Sequence, residues 1–332
     1  MNDREYQGVW VFAENHGGRL ARVGLELLSK ARELAGRLET HVAAVLLGNK
    51  IKGLAEELQD HGADRLYLAE HPLLDVYHSE RHVHVLQGLV EQYKPEILLL
   101  GATRVGLDLA PCLAARLETG LSAHCIDLDV DETGRLVQYV PAFGHMCVAK
   151  ILCSERNPQL ATVAPGAFPV RIGGGGKAET IRVSLDLEAQ PTRVTMVDHG
   201  TVPASRAAEL ESAQIVIAGG AGIGSLEGWR LLEEFADALG GAVGATRPAV
   251  DEGWAASDQM IGHSGKSVQP KLYVAVGISG DMLHMIGMRR AQMAVAINSD
   301  PDAPIFREVD YGIVGDYREI LPLLIRGLHS RL

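Results

Sequence analysis

The sequence lacks a long apolar run, which limits the environments that this chain can occupy. No stretch reaches the roughly 18 consecutive apolar residues that a membrane-spanning helix needs. Residues 1–20 also lack a basic start followed by an apolar segment, the pattern that is typical of a secretory signal. We therefore expect a cytoplasmic protein without a membrane span.

Cysteine is scarce as well, and the four that occur show no CxxC spacing: Cys112, Cys125, Cys147 and Cys153. All four lie in or beside apolar segments, where reduced cysteines are usually buried. Iron–sulfur and zinc sites need several thiolates close together. The sequence therefore predicts four buried thiols and no metal site on them.

Two further patterns resemble binding sites only in part. His78 and His82 are four residues apart, with His84 nearby, so the first two could ligate a metal from one helix face. No Asp, Glu or Cys completes a ligand set, so we favour exposed histidines without a metal. The run Gly173–Gly176 lacks the Lys-Ser/Thr that follows a phosphate loop, and is typical of a flexible connector.

Basic residues are also fewer than acidic ones. The chain has 31 Lys and Arg against 42 Asp and Glu, a formal net charge of −11, and no basic cluster offsets it. A surface of this sign repels nucleic acid and anionic lipid. Small molecules and other proteins remain as the expected partners.

What the sequence does contain is an alternation of strands and helices in a chain of 332 residues, enough for two domains. Four apolar runs separated by amphipathic helices indicate a parallel sheet with helices on both faces. These runs are Val9–Phe12, His41–Leu47, Arg65–Leu68 and Pro95–Gly101. We place a first domain at residues 1–203 and a second at 204–332, with the boundary near Val202–Ser205.

After His124 the pattern changes to consecutive strands, which predicts an antiparallel extension of the first sheet. The runs are Ile126–Val130, Leu136–Ala142, Val148–Cys153 and Leu160–Val163. Two short strand-like pieces follow at Ile181–Leu187 and Val194–Val197. Exposed edges of such an extension would need covering, for instance by a partner subunit.

Three apolar runs in the second half have the length and β-branched content of buried parallel strands: Leu272–Val276, Met293–Ile297 and Tyr311–Val314. Each ends in glycine or another turn-forming residue. Ligands of open α/β sheets bind beyond the carboxyl ends of the strands. The three loops that follow should therefore converge on one ligand.

Several loops could contribute to such a ligand site. Thr103 and Arg104, after the fourth strand, could hold an anion or could simply pack. The turn with Gly220, Gly222 and Gly224 is a weak nucleotide fingerprint without the ribose-binding acid of a true GxGxxG. Thr246 and Arg247 follow a small-residue strand, where a guanidinium can face an aromatic ring or an anion. In QMIGHSGKSVQP, the glycines permit close backbone approach and Ser264 offers a hydroxyl.

The order of these segments resembles the α subunit of electron-transferring flavoproteins over nearly the whole chain. The blocks that carry the resemblance are TRPAVDEGW, GHSGKSVQPKLYVAVGISG, a His four residues further on, and VAINSDPDAPIFREVDYGIVGD. The resemblance implies an N-terminal Rossmann-like domain of adenine nucleotide α-hydrolase type and a C-terminal doubly wound FAD-binding domain. It also implies an obligate heterodimer with a β subunit.

The family resemblance further implies which residues contact FAD. Arg247 would lie against the isoalloxazine ring, Ser264 would form a hydrogen bond near the flavin N5, and His284 would lie close to the pyrimidine oxygen O2. An electron added to flavin places negative charge near N1 and O2, so these three groups would tune its potential. The full implied set is Thr246, Arg247, Ile261, Gly262, His263, Ser264, Ser279, Gly280, Asp281, Met282, Leu283, His284, Asn298, Asp316 and Tyr317.

The chain departs from the family's usual pattern at five positions: four departures remove positive or amide character, and Asp281 adds a negative charge near the expected phosphates. Ala221 and Ser299 stand where Arg and Lys are frequent, and Asp281, Leu283 and His263 replace the usual Ala, Gln and Gln. We expect shifts in affinity or potential whose direction the sequence does not give.

The first domain is most similar to α subunits of anaerobic bacteria that work with acyl-CoA dehydrogenase-like flavoenzymes and NADH, some with electron bifurcation to ferredoxin or flavodoxin. The expected function is electron transfer through docking, with enzymatic activity only as part of a complex. Two alternatives stay open at this point. One is a nicotinamide-dependent oxidoreductase that uses Gly220–Gly224, and the other is a non-redox subunit that binds an adenine nucleotide.

Overall fold

The structure is a computed structural model that describes residues 5–142, 147–153, 155–173, 178–188, 191–197, 210 and 213–329. The chain divides into two compact units, Met1–Val197 and Asp198–Leu332. The predicted boundary near Val202–Ser205 and three of the four glycines at 173–176 lie outside the described residues. Within those residues, no helix is long and apolar enough to cross a membrane.

The first unit contains a parallel sheet and its covering helices. Its elements are β1 Val9–Phe12, β2 Asn15–His16, β3 Arg19–Leu20, α1 Arg22–Leu38, β4 Val42–Gly48, α2 Lys52–Asp60, β5 Arg65–Glu70, α3 Ser79–Tyr93, β6 Ile97–Gly101, α4 Arg104–Leu117, β7 Leu121–Cys125, β8 Asp127–Val130, β9 Leu136–Ala142, β10 Cys147–Leu152, β11 Gln159–Val163 and β12 Glu179–Arg182. The seven strands of the main sheet are all parallel, in the order β12-β5-β4-β1-β6-β11-β7. The predicted parallel α/β class is therefore confirmed.

Alternate residues of the central strand β1 point into two separate cores. Val9 and Val11 pack on the α1 side of the sheet, and Trp10 and Phe12 pack on the other side with Tyr67. The ring centroids of Trp10 and Tyr67 are 4.4 Å apart. Continuous apolar runs are expected here because helices cover both faces of a parallel sheet.

The prediction for residues 126–163 was wrong in part. β8, β9 and β10 are antiparallel but form a separate three-stranded sheet, whereas Leu160–Val163 belongs to β11, between β6 and β7 in the parallel sheet. All residues of β11 are buried, as in a central parallel strand. β7, absent from the prediction, forms the edge beside it. Glu179–Arg182 is a strand paired with β5, and no strand forms at 194–197.

The cysteine prediction was also wrong in part. All four cysteines are free, but only Cys125 is buried, while Cys153 is half-buried. Cys112 lies on the outer face of α4, and Cys147 begins the edge strand β10, so both are exposed. Apolar neighbours in the sequence do not bury a residue whose side chain points outward.

The second unit is built on five parallel strands in the order β14-β13-β15-β16-β17. Its elements are β13 Ile215–Gly219, α5 Leu226–Leu239, β14 Ala242–Ala245, α6 Arg247–Asp251, β15 Leu272–Val276, α7 Met282–Met285, β16 Ala294–Asn298, β17 Tyr311–Val314 and α8 Tyr317–His329. Helices α5 and α8 pack on one face, and the segments around residues 261–288 cover the other. This is the expected doubly wound arrangement.

One predicted buried strand is exposed. Tyr311, Ile313 and Val314 of β17 are 61%, 36% and 57% exposed, although their apolar character favoured burial. β17 is the last strand of the sheet, so one of its edges has no neighbour and its faces are only partly covered.

Candidate functional site

The carboxyl ends of the five strands in the second unit form one edge of the sheet, and most predicted site residues follow these ends. Thr246 and Arg247 come after β14, Ser279–His284 after β15, and Asp316 and Tyr317 after β17, while Asn298 ends β16. Ile261–Ser264 returns to the same edge because the N–H of Ile261 donates to the carbonyl of Ala245 over 2.9 Å. The structure therefore brings the predicted segments together.

Two glycine turns form the centre of this edge. The N–H of Gly222 donates to the carbonyl of Gly277 over 3.0 Å, and a Cβ on Gly220 would lie 2.3 Å from that same oxygen. Gly277 has a φ of +62°, which side chains rarely adopt. The turns after β13 and β15 therefore touch backbone to backbone, and glycine is required for this contact.

Thr246 and Arg247 place one buried and one exposed polar side chain at the edge. The N–H of Thr246 donates to the carbonyl of Gly219 over 3.0 Å, which holds the residue against the first glycine turn. Its Oγ1 is buried and has no hydrogen-bond partner in the described structure. The Arg247 side chain is 74% exposed and 3.6 Å from Asp251. A buried hydroxyl without a protein partner is costly, so Oγ1 of Thr246 is available for a hydrogen bond with a further group.

The loop Ile261–Ser264 packs directly on the turn that contains His284. The N–H of His263 donates to the carbonyl of Leu283 over 2.7 Å. Gly262 has a φ of +135°, and a Cβ there would lie 2.6 Å from the Leu283 oxygen. His263 and Ser264 are exposed, so their side chains are free to face a ligand.

His284 is buried, and both of its ring nitrogens have protein partners. Nδ1 is 3.1 Å from the carbonyl of Ile261, and Nε2 is 2.9 Å from the hydroxyl of Tyr273. Burial lowers the pKa of His284 to about 4. The imidazole is therefore neutral near pH 7 and carries no positive charge. In the described structure both of its nitrogens are engaged with protein groups, so neither offers a free N–H for the expected contact with the flavin O2. Sequence reasoning missed Tyr273, because a tyrosine inside an apolar strand gives no separate signal.

The turn after β15 is shaped by Gly280 and Asp281. Gly280 has a φ of +95°, and a Cβ there would lie 2.4 Å from the nitrogen of Ile305. Asp281 begins α7, and its carboxylate accepts from the N–H of Leu283 over 2.8 Å. The departure at Asp281 thus has a local structural reason, because a helix N-cap favours aspartate. Ser279 is exposed, as are Met282 and Leu283.

The last two segments are tied to their neighbours by hydrogen bonds. Asn298 donates through Nδ2 to the carbonyl of Ile278 over 2.9 Å, which joins the ends of β15 and β16. The hydroxyl of Tyr317 donates to the carbonyl of Ile223 over 2.6 Å, so this side chain braces the first glycine turn. Tyr317 is buried in the α5–α8 core, whereas Asp316 is exposed. Asp316 is the more accessible of the pair.

The candidate residues of the first unit form no comparable site. The hydroxyl of Thr103 accepts from the N–H of Gly106 over 3.0 Å and donates to the buried carboxylate of Glu14. An anion there would meet that carboxylate, so the packing interpretation is favoured.

The histidine prediction was wrong in its expectation of exposure. His78 and His82 are buried, and Nδ1 of His82 lies 3.1 Å from the His78 carbonyl. Burial lowers the pKa of His82 to about 4. Among the described residues, no group of three or more metal-binding side chains occurs.

Comparison with known proteins agrees with this architecture. A family model described as "Electron transfer flavoprotein domain" matches residues 9–188, and one described as "Electron transfer flavoprotein FAD-binding domain" matches residues 209–289. The second match covers the glycine turns, the Thr246 segment and the loop–turn pair of residues 261–284.

Full-length relatives carry the same description. "Electron transfer flavoprotein subunit alpha" of Thermoanaerobacterium thermosaccharolyticum is 44% identical over 98% of both chains. The protein of that name from Megasphaera elsdenii is 39% identical over 100% of this chain and 99% of its own. "Acryloyl-CoA reductase electron transfer subunit beta" of Anaerotignum propionicum is 36% identical over 96% of this chain and 95% of its own. The chain therefore belongs to the electron transfer flavoprotein α-subunit family, and its second unit contains that family's FAD-binding domain.

Proposed function

We propose that this chain binds FAD at the carboxyl edge of the second sheet and passes electrons as one half of a heterodimer with a β subunit. In this proposal, residues 1–203 dock on the β subunit and residues 204–332 hold FAD. The observation that carries the proposal is the buried, unpartnered hydroxyl of Thr246, at an edge where five chain segments converge. A ligand with polar oxygens would satisfy that hydroxyl.

The residues at this edge suit a flavin dinucleotide. Gly262 and Gly280 let neighbouring backbone segments pack closely at this edge, because a Cβ at either position would lie less than 3 Å from backbone atoms. Met282 and Leu283 are 54% and 55% exposed and offer apolar surface for an aromatic ring. Asn298 and Asp316 offer polar groups for the adenosine end, as the family resemblance implies.

The residues of this chain would bind FAD and adjust its reduction potential. FAD, when bound, supplies the redox chemistry itself. The Arg247 cation beside it favours the form that has gained negative charge, and the Ser264 hydroxyl can donate a hydrogen bond. Because His284 is neutral, we assign the positive charge to Arg247 alone among the three proposed tuning residues.

Exposed apolar side chains on two edge strands support a partner subunit. Val148 and Leu152 of β10 are 50% and 45% exposed, and Tyr311 and Val314 of β17 are 61% and 57% exposed. Open sheet edges with apolar side chains are usually covered by another chain or by a neighbouring element. We propose that the β subunit covers at least the β10 edge.

For electron donors and acceptors, the relative from Anaerotignum propionicum supports an acyl-CoA dehydrogenase-like flavoenzyme, because that protein is named for acryloyl-CoA reductase. NADH, ferredoxin or flavodoxin as further partners, and electron bifurcation, stay predictions. We also propose a cytoplasmic location, since free exposed thiols such as Cys112 and Cys147 suit a reducing compartment.

The nicotinamide alternative predicts a ribose-binding acid after the strand that follows the glycine turn. The structure instead has Thr246 and Arg247 at the end of β14. Family membership also favours the flavin over a non-redox adenine nucleotide.

The test is to purify the chain after co-expression with the β subunit and to record its visible spectrum. We expect the bands of oxidised flavin, with FAD released on denaturation. We also expect Thr246→Val to reduce the flavin content of the purified complex. A complex that stays colourless after incubation with FAD would contradict the proposal.

A further inference from the structure

Tyr273 and His284 form a buried pair next to the proposed flavin site. Tyr273 is fully buried in β15, and its hydroxyl lies 2.9 Å from Nε2 of His284. The other ring nitrogen, Nδ1, lies 3.1 Å from the carbonyl oxygen of Ile261. Together these contacts connect three segments: the strand β15, the 261–264 loop and the turn that begins α7.

The partners determine which nitrogen carries the proton. The carbonyl of Ile261 can only accept a hydrogen bond, so Nδ1 must be the donor. A neutral imidazole has a single N–H, and Nε2 is then left with a lone pair. The Tyr273 hydroxyl donates to that lone pair, which satisfies both the ring and the buried hydroxyl.

A protonated ring would break this arrangement. Nε2 would become a second donor, and the proton of the Tyr273 hydroxyl would be left without its acceptor inside the core. Burial opposes the charge more strongly than the Ile261 carbonyl and the Asp281 carboxylate favour it. Burial also raises the pKa of the Tyr273 hydroxyl, so tyrosine keeps its proton and acts as the donor.

We propose that Tyr273 is a positioning residue, whose hydroxyl holds His284 as the neutral Nδ1–H tautomer. The imidazole then fastens the 261–264 loop to the 281–284 turn and adds no positive charge to the flavin site. The effect on flavin rests on the function proposed above, whereas the tautomer is a property of this chain by itself. Tyr273 acts through His284 and needs no contact with FAD.

The tautomer is measured directly on the complex with the β subunit, labelled with 15N at histidine. A long-range 1H–15N spectrum near pH 7 reports which ring nitrogens carry protons. The His284→Gln variant identifies the His284 signals among those of the 13 histidines of this chain. We expect one protonated nitrogen, Nδ1, and one unprotonated nitrogen, Nε2. A protonated Nε2 would overturn the proposal.

The Tyr273→Phe variant tests the role of the hydroxyl. Removing a donor to the neutral ring should shift the Nε2 signal and raise the pKa of His284 by about one unit. At about pH 5, the partly protonated ring should then raise the flavin midpoint potential relative to the wild-type complex. Unchanged His284 signals and an unchanged titration would refute the role of Tyr273.

Tyr311→Phe is the matched control, since it removes a tyrosine hydroxyl from the same unit at an exposed position outside the proposed flavin site. This variant should leave the His284 signals in place. If Tyr273→Phe does not fold, 3-fluorotyrosine inserted at position 273 keeps the size and makes the hydroxyl a stronger donor. It should move the Nε2 signal, and a stationary signal would overturn the proposal.

The tautomer and the bound flavin are measured separately, so the two proposals can fail separately. A complex with FAD but with a protonated Nε2 would refute only the role of Tyr273. A flavin-free complex with the expected tautomer would refute only the proposed function.

Discussion

The two units share the tetrapeptide Gly-Ala-Thr-Arg, at residues 101–104 and 244–247, and each copy joins a parallel strand to a helix. In the first unit, Thr103 caps α4 through the N–H of Gly106 and donates to Glu14, so its hydroxyl is satisfied by protein. In the second unit, Thr246 begins α6 at the same relative position, but its hydroxyl has no partner in the described structure.

The difference arises from what surrounds the tetrapeptide. Pro248 has no N–H, which removes one of the two donors that a threonine N-cap can accept from. Among the described residues, no carboxylate of the second unit accepts from the Thr246 hydroxyl as Glu14 does from Thr103. The threonine hydroxyl of the first copy is therefore satisfied by its own chain, whereas that of the second copy has no partner among the described residues. The same four residues at equivalent positions therefore differ in the hydrogen bonding of their threonine hydroxyl, because their neighbours differ.

The largest expected effect concerns the buried histidines, one in each unit. His82 and His284 have pKa values of about 4 when folded, against 6.5 for free histidine. The unfolded chain therefore binds protons that the folded chain excludes between about pH 6.5 and 4. The free energy of unfolding should fall as the pH falls through this window, by on the order of 3 kcal/mol per histidine.

Hydrogen exchange measured by mass spectrometry between about pH 7.5 and 5 separates the two units. After correction for intrinsic exchange rates, His82→Gln should reduce the pH dependence of protection in β1, and His284→Gln should reduce it in β15. Each variant is the control for the other unit. An unchanged pH dependence in both variants would show that neither imidazole is excluded from protonation.

The second prediction compares the two threonines. Thr103→Val loses a helix cap and leaves Oε2 of Glu14 without its donor, so the free energy of unfolding of the first unit should fall by about 1–2 kcal/mol. Thr246→Val loses no protein hydrogen bond, so the second unit should keep its stability within about 0.5 kcal/mol while the complex retains less FAD.

Urea unfolding of the flavin-free complex and flavin absorbance per chain would measure these two effects. Equal destabilisation by both substitutions would show that the Thr246 hydroxyl has a protein partner, and would contradict the proposed difference between the two threonines.

The smallest expected effect concerns the two arginines. Arg247→Ala should lower the flavin midpoint potential by about 30–60 mV, since a one-electron couple shifts by about 59 mV for each factor of ten in stabilisation. Arg104→Ala, the equivalent change in the first unit, should leave the potential unchanged. Redox titration at low and high salt should show the Arg247 effect shrinking with salt, because the side chain is largely exposed. Equal shifts in both variants would contradict the assignment.

Much of the fold was predictable because both sheets are parallel. A parallel strand buried on both faces reads as a continuous apolar run, and this signal located β1, β4 and β6 in the first unit and β15 and β16 in the second. The apolar run did not predict the sheet position of β11, because such a run indicates that a strand is buried but not which strands it pairs with. It also failed for β17, since apolar side chains do not reveal that a strand lies at the edge.

The candidate site was predictable in its segments but not in the state of its side chains. Ordered blocks of residues placed Thr246, Ile261–Ser264 and Ser279–His284 in one region, and the structure brings these segments together. The neutral state of His284 was not predictable. It depends on how deeply the fold buries the ring, and its tautomer depends on Tyr273, eleven residues earlier on another element, and on a carbonyl in the 261–264 loop.

The sequence by itself determined the two-domain α/β class, the strands that are buried on both faces and the family to which the chain belongs, because periodicity and ordered blocks are local properties of a chain. The tertiary structure alone decided in which copy of Gly-Ala-Thr-Arg the threonine hydroxyl lacks a partner among the described residues, which histidines are neutral and which strands form edges. These outcomes depend on partners distant in sequence, since hydrogen bonding and burial are set by whatever the fold places within a few ångströms.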